Sequence, residues 1–437
     1  MLEADVRELF CSDEDAERIL NKYAVAANPT SSSLPGKNIN NSSYLSLLRS
    51  DEFVKQQKDR QMIIYANYNT LSDGLSIIAK KFIFLLRKRG FLVCSFHYSL
   101  SDHQHNTERI RALISALDIK PIFVFHGTFD SSLKNFLSFV RMMRIYTIGH
   151  LTWETTLLPD KYVDTFSAFD EIVVPSEFNL NVFRKSLKRK ISVIRHLFDE
   201  YSLTERRLQE KFSETSDCII FYTINNSNDR RKNFTSTCVF TIKWILRLRR
   251  LNPRQKFQFI VKGFEGECMK KLKDWTNKVT HGFSFVQFID RDVKDEEIIA
   301  LHERGHIYVS LTHGEGVGMS VIQACLHGNA VVAPSFGGYV EYIGNDYPFL
   351  VKCEVRNIGT LSNYSAPPFL QESIFHDPQQ WCFVDEDAYY EILDLLNMKI
   401  LLEKEELLER LTNTRRYIKY ITNHDRIARE FLKILVT

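Results

Sequence analysis

The stretch HIYVSLTHGEGVGMSVIQACLHGNAVVAPSFGG, His306 to Gly338, decides the fold. An apolar run ending near Leu311 reads as a buried strand, and a loop carrying Glu315, Gly316 and Gly318 follows it. A helix is predicted to start near Met319 or Ser320, and AVVAPSFGG after it is strand-like again. Strand, glycine loop, helix and strand in succession make the unit of a parallel sheet. The loop residues Gly316, Val317, Gly318, Met319 and Ser320 let backbone come close to a ligand. The free N–H groups and positive dipole end of the helix there suit a phosphate. Glu315 lies in the loop and Gln323, eight residues on, lies about one turn inside the helix, so the two can reach opposite ends of one ligand.

Working outward, the same grammar runs both ways. Upstream, MIIYANYN, FLVCSFHYS, PIFVFHGT, IYTIGHLTW, EIVVPS and KISVIRHL read as strands of a first block. LSDGLSIIAKKFIFLLRKRG reads as a helix, with Leu75, Ile78, Phe82 and Leu85 near helical spacing, basic residues in the last turn and Gly90 as the C-terminal cap. CIIFYTIN, FQFIVKGF and SFVQFID are strands of a second block, with helices predicted over NFTSTCVFTIKWILRLRRL and DEEIIALHERG. The charged stretch FDEYSLTERRLQEKFSETSD, near 198–217, separates the blocks. The fold class is therefore α/β, with two Rossmann-like, doubly wound parallel-sheet domains. Ligands of such sheets bind beyond the carboxyl ends of the strands, which implies a cleft between the two. Residues 1–60 are least regular, a helical extension around the linker AANPTSSSLPGKNINNSS.

Composition narrows the class further. Of the 437 residues, 44% are apolar and 25% charged, with a net charge of +3, as for an average soluble protein and with no general pull toward nucleic acid. The cysteines at 11, 94, 218, 238, 268, 325, 353 and 382 are scattered, which argues for reduced thiols in a cytoplasmic protein rather than a disulfide framework or zinc site. The N-terminus lacks the basic and apolar regions of a secretory signal, and no apolar run is long enough to span a bilayer. A basic helical face, with Lys80, Lys81, Arg87, Lys88 and Arg89, can meet anionic lipid as a peripheral contact; a solvated face over the sheet is the plainer reading.

Two further stretches carry chemistry. FYTINNSNDRRKNF places Arg231, Lys232 and Asn233 after a strand and before a helix, and a Lys/Arg pair so placed can stabilise charge on a departing diphosphate. The adjacent Arg230 can add to it. YTIGHLTWETTLLPDKYVDTFSAFDEIVVPSEFNLNVFRKS places His150, Trp153 and Glu154 at the end of a first-block strand, while Ser176 reads as a helix cap. Asp385-Glu-Asp387 precedes a helix and reads as capping, and no metal site is expected.

The segment from Thr312 to Ala324 resembles the Glu-x7-Glu region of the retaining glycosyltransferases of family 4, here as Glu315-x7-Gln323. The resemblance covers roughly residues 61–437 and implies the GT-B fold. It implies Glu315 on the hydroxyls of a donor sugar, Gln323 on the nucleotide ribose and the loop amides on the diphosphate. Gln in the second position keeps a hydrogen-bond acceptor but loses the charge-assisted bond. Arg231, Lys232 and Asn233 match the family's diphosphate clamp, and Gly74 matches a glycine of the first domain that approaches the donor phosphates. His150 matches a histidine near the transferred sugar, with Trp153 and Glu154 on the acceptor side. The domains implied are 61–205, completed by a returning C-terminal helix at about 418–437, and 215–415. The implied activity is metal-independent, cofactor-free transfer from a nucleotide-sugar donor to a glycan, lipid-linked or protein acceptor, in surface-polysaccharide or glycoconjugate assembly. A phosphorylase-like enzyme and a non-catalytic binding module on the same fold remain open beside it.

Overall fold

The computed structural model describes residues 62–435 apart from 68–73, 98–106, 109, 112–120, 128–132, 200, 202, 214–217, 282–283, 362–374 and 376–377. The N-terminal extension and linker expected over residues 1–60 lie outside the described residues.

The first half winds β1 (Met62–Asn67), α1 (Gly74–Lys88), β2 (Leu92–His97), β3 (Ile122–His126), α2 (Leu133–Met142), β4 (Tyr146–His150), α3 (Asp160–Phe166), β5 (Glu171–Val174), α4 (Glu177–Ser186) and β6 (Lys190–Val193). Its six parallel strands lie in the order β2-β1-β3-β4-β5-β6. Strands such as β1 and β3 are buried along their whole length, because helices cover both faces of the sheet; this is why they read as unbroken apolar runs. In α1 the predicted Ile78, Phe82 and Leu85 face the core, Gly90 takes φ +88° past its end, and Lys80, Lys88 and Phe84 point outward.

The second half runs α5 (Glu205–Ser213), β7 (Cys218–Ile224), α6 (Phe234–Leu251), β8 (Lys256–Lys262), α7 (Glu267–Thr280), β9 (Val286–Ile289), α8 (Asp295–Arg304), β10 (Ile307–Val309), α9 (Met319–Leu326), β11 (Ala330–Pro334), α10 (Tyr339–Ile343) and β12 (Leu350–Val351). These six strands are parallel in the order β12-β11-β10-β7-β8-β9. An antiparallel ribbon, β13 (Cys353–Asn357) with β14 (Gln380–Val384), follows. The chain closes with α11 (Glu386–Leu402), α12 (Lys404–Ile421) and α13 (His424–Leu435). Asp385 caps α11 as expected, its side chain accepting from the amides of Asp387 and Ala388.

The core divides with the sheets. Ile418 and Ile421 of α12 pack in the second core, while Ile427, Ala428, Phe431, Ile434 and Leu435 of α13 pack with Ile78 and Phe82 of α1 on the first sheet. The charged stretch between the blocks holds a helix, because Leu208 and Phe212 of α5 share one face and bury it in the second core. Two doubly wound parallel sheets joined in this way form the GT-B fold. Among the described residues no helix is long and apolar enough to cross a membrane.

Candidate active site

In the second sheet the strand order reverses between β7 and β10, and the crevice at such a reversal is where an open parallel sheet binds ligands. The loops leaving these two strands interlock there. After β7, Asp229 caps a 3-10 turn over Arg230–Lys232; its carboxylate accepts from the Arg231 amide at 2.9 Å and meets Arg231 Nη2 at 3.2 Å. Asn233 then takes a left-handed conformation (φ 45°), which an Asn tolerates, and opens α6 while its Nδ2 donates to Leu311 O at 2.9 Å. The Arg231 carbonyl accepts from the His313 amide at 2.7 Å and from Thr312 Oγ1 at 3.1 Å.

The loop after β10 supplies the opposing charge. Glu315 takes Lys232 Nζ on one carboxylate oxygen at 2.5 Å and Arg231 Nη1 on the other at 3.0 Å. Arg231 Nη1 also donates to Gly314 O at 2.7 Å. Burial acts to raise the Glu315 pKa, but the two cations outweigh it and hold the carboxyl at about 2. Sequence reasoning singled out Arg231, Lys232 and Glu315 as separate contacts to a ligand; their direct pairing with one another is seen only in the structure. Sequence reasoning missed Asp229 and Thr312. Asp229 was legible as the capping type just before the basic run.

The start of α9 lies beside this knot. Gly318 adopts φ +73°, which favours glycine, and the first amides of α9 have no partner within the helix. Across the domain boundary, a Cβ at Gly74 would sit 3.2 Å from Met319 Sδ, so the start of α1 adjoins the start of α9. Val317 and Gly316 are buried, whereas Met319, Ser320 and Gln323 are half-buried.

The first domain presses its β4 loop on this region. A Cβ at Gly314 would lie 2.1 Å from Glu154 O, and one at Gly316 would lie 2.2 Å from Thr152 Cγ2, so only glycine fits. Ser176 caps α4 through the Asn179 amide and also donates to Gly316 O at 2.9 Å, a link that sequence alone did not suggest. Trp153 is turned inward: its Nε1 donates to Thr155 Oγ1 at 2.7 Å and Leu157 O at 2.9 Å, and Asn179 brackets its backbone. Glu154 is half-buried beside the knot; burial raises its pKa, opposed by Arg231 and reinforced by Glu315.

His150 has different company. It is 1% exposed at the end of β4, where its ring neighbours are His126, His196, Phe82 and Phe431, and Tyr65 Oη lies 3.3 Å from its Nδ1. Burial, then the neighbouring His126 and His196, push its pKa well below the usual histidine value.

Comparison with known proteins bears on the fold. Residues 233–358 match the family described as glycosyl transferases group 1, a stretch that begins just after Lys232 and contains Glu315 and Gln323. The chain is similar in fold to Anabaena Alr3699/HepE in complex with UDP and glucose, at 13% identity and a TM-score of 0.58 over 86% of this chain and 100% of that one. It is similar to a glycosyltransferase from Rickettsia africae at 14% identity and a TM-score of 0.59, covering 86% and 98%. It also resembles the sucrose-phosphate synthase of Thermosynechococcus elongatus, at 12% identity and a TM-score of 0.59 over the same shares. No curated protein matches the chain by sequence. The fold is thus the GT-B fold, and residues 233–358 within its second half match the group 1 glycosyltransferase model.

Proposed function

We propose that the chain transfers a sugar from a nucleotide-sugar donor to a glycan, lipid-linked or protein acceptor, with retention at the anomeric carbon. The observation that carries this reading is the Arg231–Glu315–Lys232 knot at the strand-order reversal, beside the open start of α9. A diphosphate entering there competes with Glu315 for the two cations and takes up the α9 amides. Glu315, freed from full pairing and ionised, then accepts hydrogen bonds from the sugar hydroxyls. As the bond from the anomeric carbon to the diphosphate oxygen breaks, negative charge grows on that oxygen, and Lys232 and Arg231 stabilise it. The acceptor oxygen bonds to the same face of the carbon, and its proton passes to the departing diphosphate. Two fixed cations do here what a metal ion does elsewhere, so transfer is metal-independent. Retention rests on the resemblance of the Glu315-x7-Gln323 segment.

Gln323 accepts a hydrogen bond from the ribose, and Gly74 and Asn233 border the diphosphate. Uridine diphosphate sugars are the first donors to try, since the Anabaena structure holds UDP and glucose. Acceptors enter along the β4 loop, past Glu154 and the backbone of Trp153, with His150 beneath. The proposed setting is glycoconjugate assembly in the cytoplasm, with the basic outer side of α1 as a lipid contact. The neutral Gln323 favours a second reading, in which a sugar phosphate is the donor, and dependence on inorganic phosphate separates the two.

The test is a panel of nucleotide-sugars scored for nucleotide release with and without candidate acceptors, beside thermal shifts with the free nucleotides. Acceptor-stimulated release supports the proposal. No release and no nucleotide-induced stabilisation across the panel would end it.

A further inference from the structure

Three histidines that lie far apart in the chain converge at the strand ends of the first sheet. His126 ends β3, His150 ends the neighbouring β4 directly opposite it, and His196 follows β6. All three are 2% exposed or less, and one nitrogen of each lies within 4.8 Å of a nitrogen of the others. Nε2 of His126, Nε2 of His150 and both ring nitrogens of His196 have no hydrogen-bond partner. Four unpaired ring nitrogens in one buried pocket are costly, and such groups ordinarily mark water or an ion.

We propose that His126, His150 and His196 bind a divalent transition-metal ion of the zinc class. Imidazole nitrogen is the ligand type such ions take, and three histidines are a complete protein set when water fills the fourth position. A hydroxyl that can orient two of these rings is already in place. Tyr65 Oη lies 2.8 Å from His126 Nδ1 and 3.3 Å from His150 Nδ1, so with both rings in the Nδ1–H tautomer that metal binding at Nε2 requires, one hydroxyl oxygen can accept from both. Ligation at about 2.0–2.1 Å sets tetrahedral nitrogens about 3.3 Å apart, so closing the set asks for a shift of about 1.5 Å, within the reach of ring rotation. The ligands are neutral, so the bound ion favours hydroxide in the fourth position, which offsets part of its charge.

All three rings are shut off from solvent, so the ion would act here as a clip. It ties β3 and β4 to the segment after β6, where the His196 amide donates to Tyr342 Oη of the second domain at 3.2 Å, and it sits under Phe431 of α13. No cysteine or carboxylate joins it among the described residues, so spacing rules in the sequence gave no sign of it. The assignment is independent of the transfer activity and would stand without it.

The experiment is metal analysis of the full chain, purified on a tag without histidine. The expected result is about one ion per chain, removed by a strong chelator, with readdition of zinc raising the Tm by about 5 °C. Cobalt in its place should give a visible d–d absorption band. His126→Gln and His196→Gln should each lower the metal content about tenfold or more while far-UV circular dichroism stays unchanged. Should either variant misfold, the content and cobalt spectrum of the unmodified chain still decide. Less than about 0.1 ion per chain, both as purified and after incubation with zinc or cobalt, overturns the proposal. Undiminished metal in both folded variants overturns it too.

Discussion

Strand ends in the two sheets face the same boundary but hold opposite chemistry. In the second sheet the loops after β7 and β10 bring two cations onto one carboxylate, with Glu315 ionised down to about pH 2. In the first sheet, β3, β4 and the segment after β6 gather three imidazoles around a tyrosine, and burial keeps all three rings neutral. A charged knot holds its members by attraction and can exchange them for another ion. A neutral, buried cluster has nothing to exchange with solvent and can only pack or ligate. The same topology therefore supplies a place where an anion can come and go and a place where something is kept.

The largest way to break this contrast is Lys232→Ala. Transfer should fall by at least about 100-fold in a nucleotide-release assay, with Tm nearly unchanged because Arg231 still pairs with Glu315. Unaltered turnover would remove the knot from the chemistry.

A smaller effect lies on the seam between the regions. Glu341 of α10 accepts from the Glu177 amide at 2.6 Å and meets Arg195 at 3.3 Å, yet burial raises its carboxyl to about 7 because these partners do not offset it. The folded state therefore holds this proton more tightly than the unfolded chain does. The resulting stability is fully present below about pH 4.5 and is lost as pH rises through about 7. Glu341→Gln should flatten the fall in Tm over that window, an effect of up to about 3 kcal/mol read by thermal melts at several pH values. An unchanged slope would assign the pH dependence to other groups.

The smallest change sharpens the contrast. Gln323→Glu adds a charge to the nucleotide side of the anion site and should tighten nucleotide binding by about fivefold to tenfold in calorimetry. No change would count against contact with the ribose.

Much of this was legible because parallel strands buried on both faces appear as apolar runs; most runs ended near an observed strand end, although KISVIRHL runs past Val193 and the short β12 was not read as a strand. Arg231, Lys232 and Glu315 could each be singled out because each followed a strand, but the ion pair of Lys232 with Glu315, 83 residues apart, was not legible. Helix α5 was not legible, since only Leu208 and Phe212 of its nine residues are apolar anchors in a charged stretch. The histidine cluster was hidden for a different reason. Each of His126, His150 and His196 is an isolated residue at a strand end, and only the strand order brings them together. Asn179 and Gln379, which hold Trp153 inward, likewise act across distances that no local pattern records.

The position of α13 also sets an order of events during synthesis. Residues 198–421 can bury the second core as soon as they have been made, whereas one face of the first sheet, with Ile78 and Phe82, waits for Ile427 and Phe431. The half of the chain translated first is thus the half completed last, and until then it presents an apolar surface of the kind that chaperones recognise.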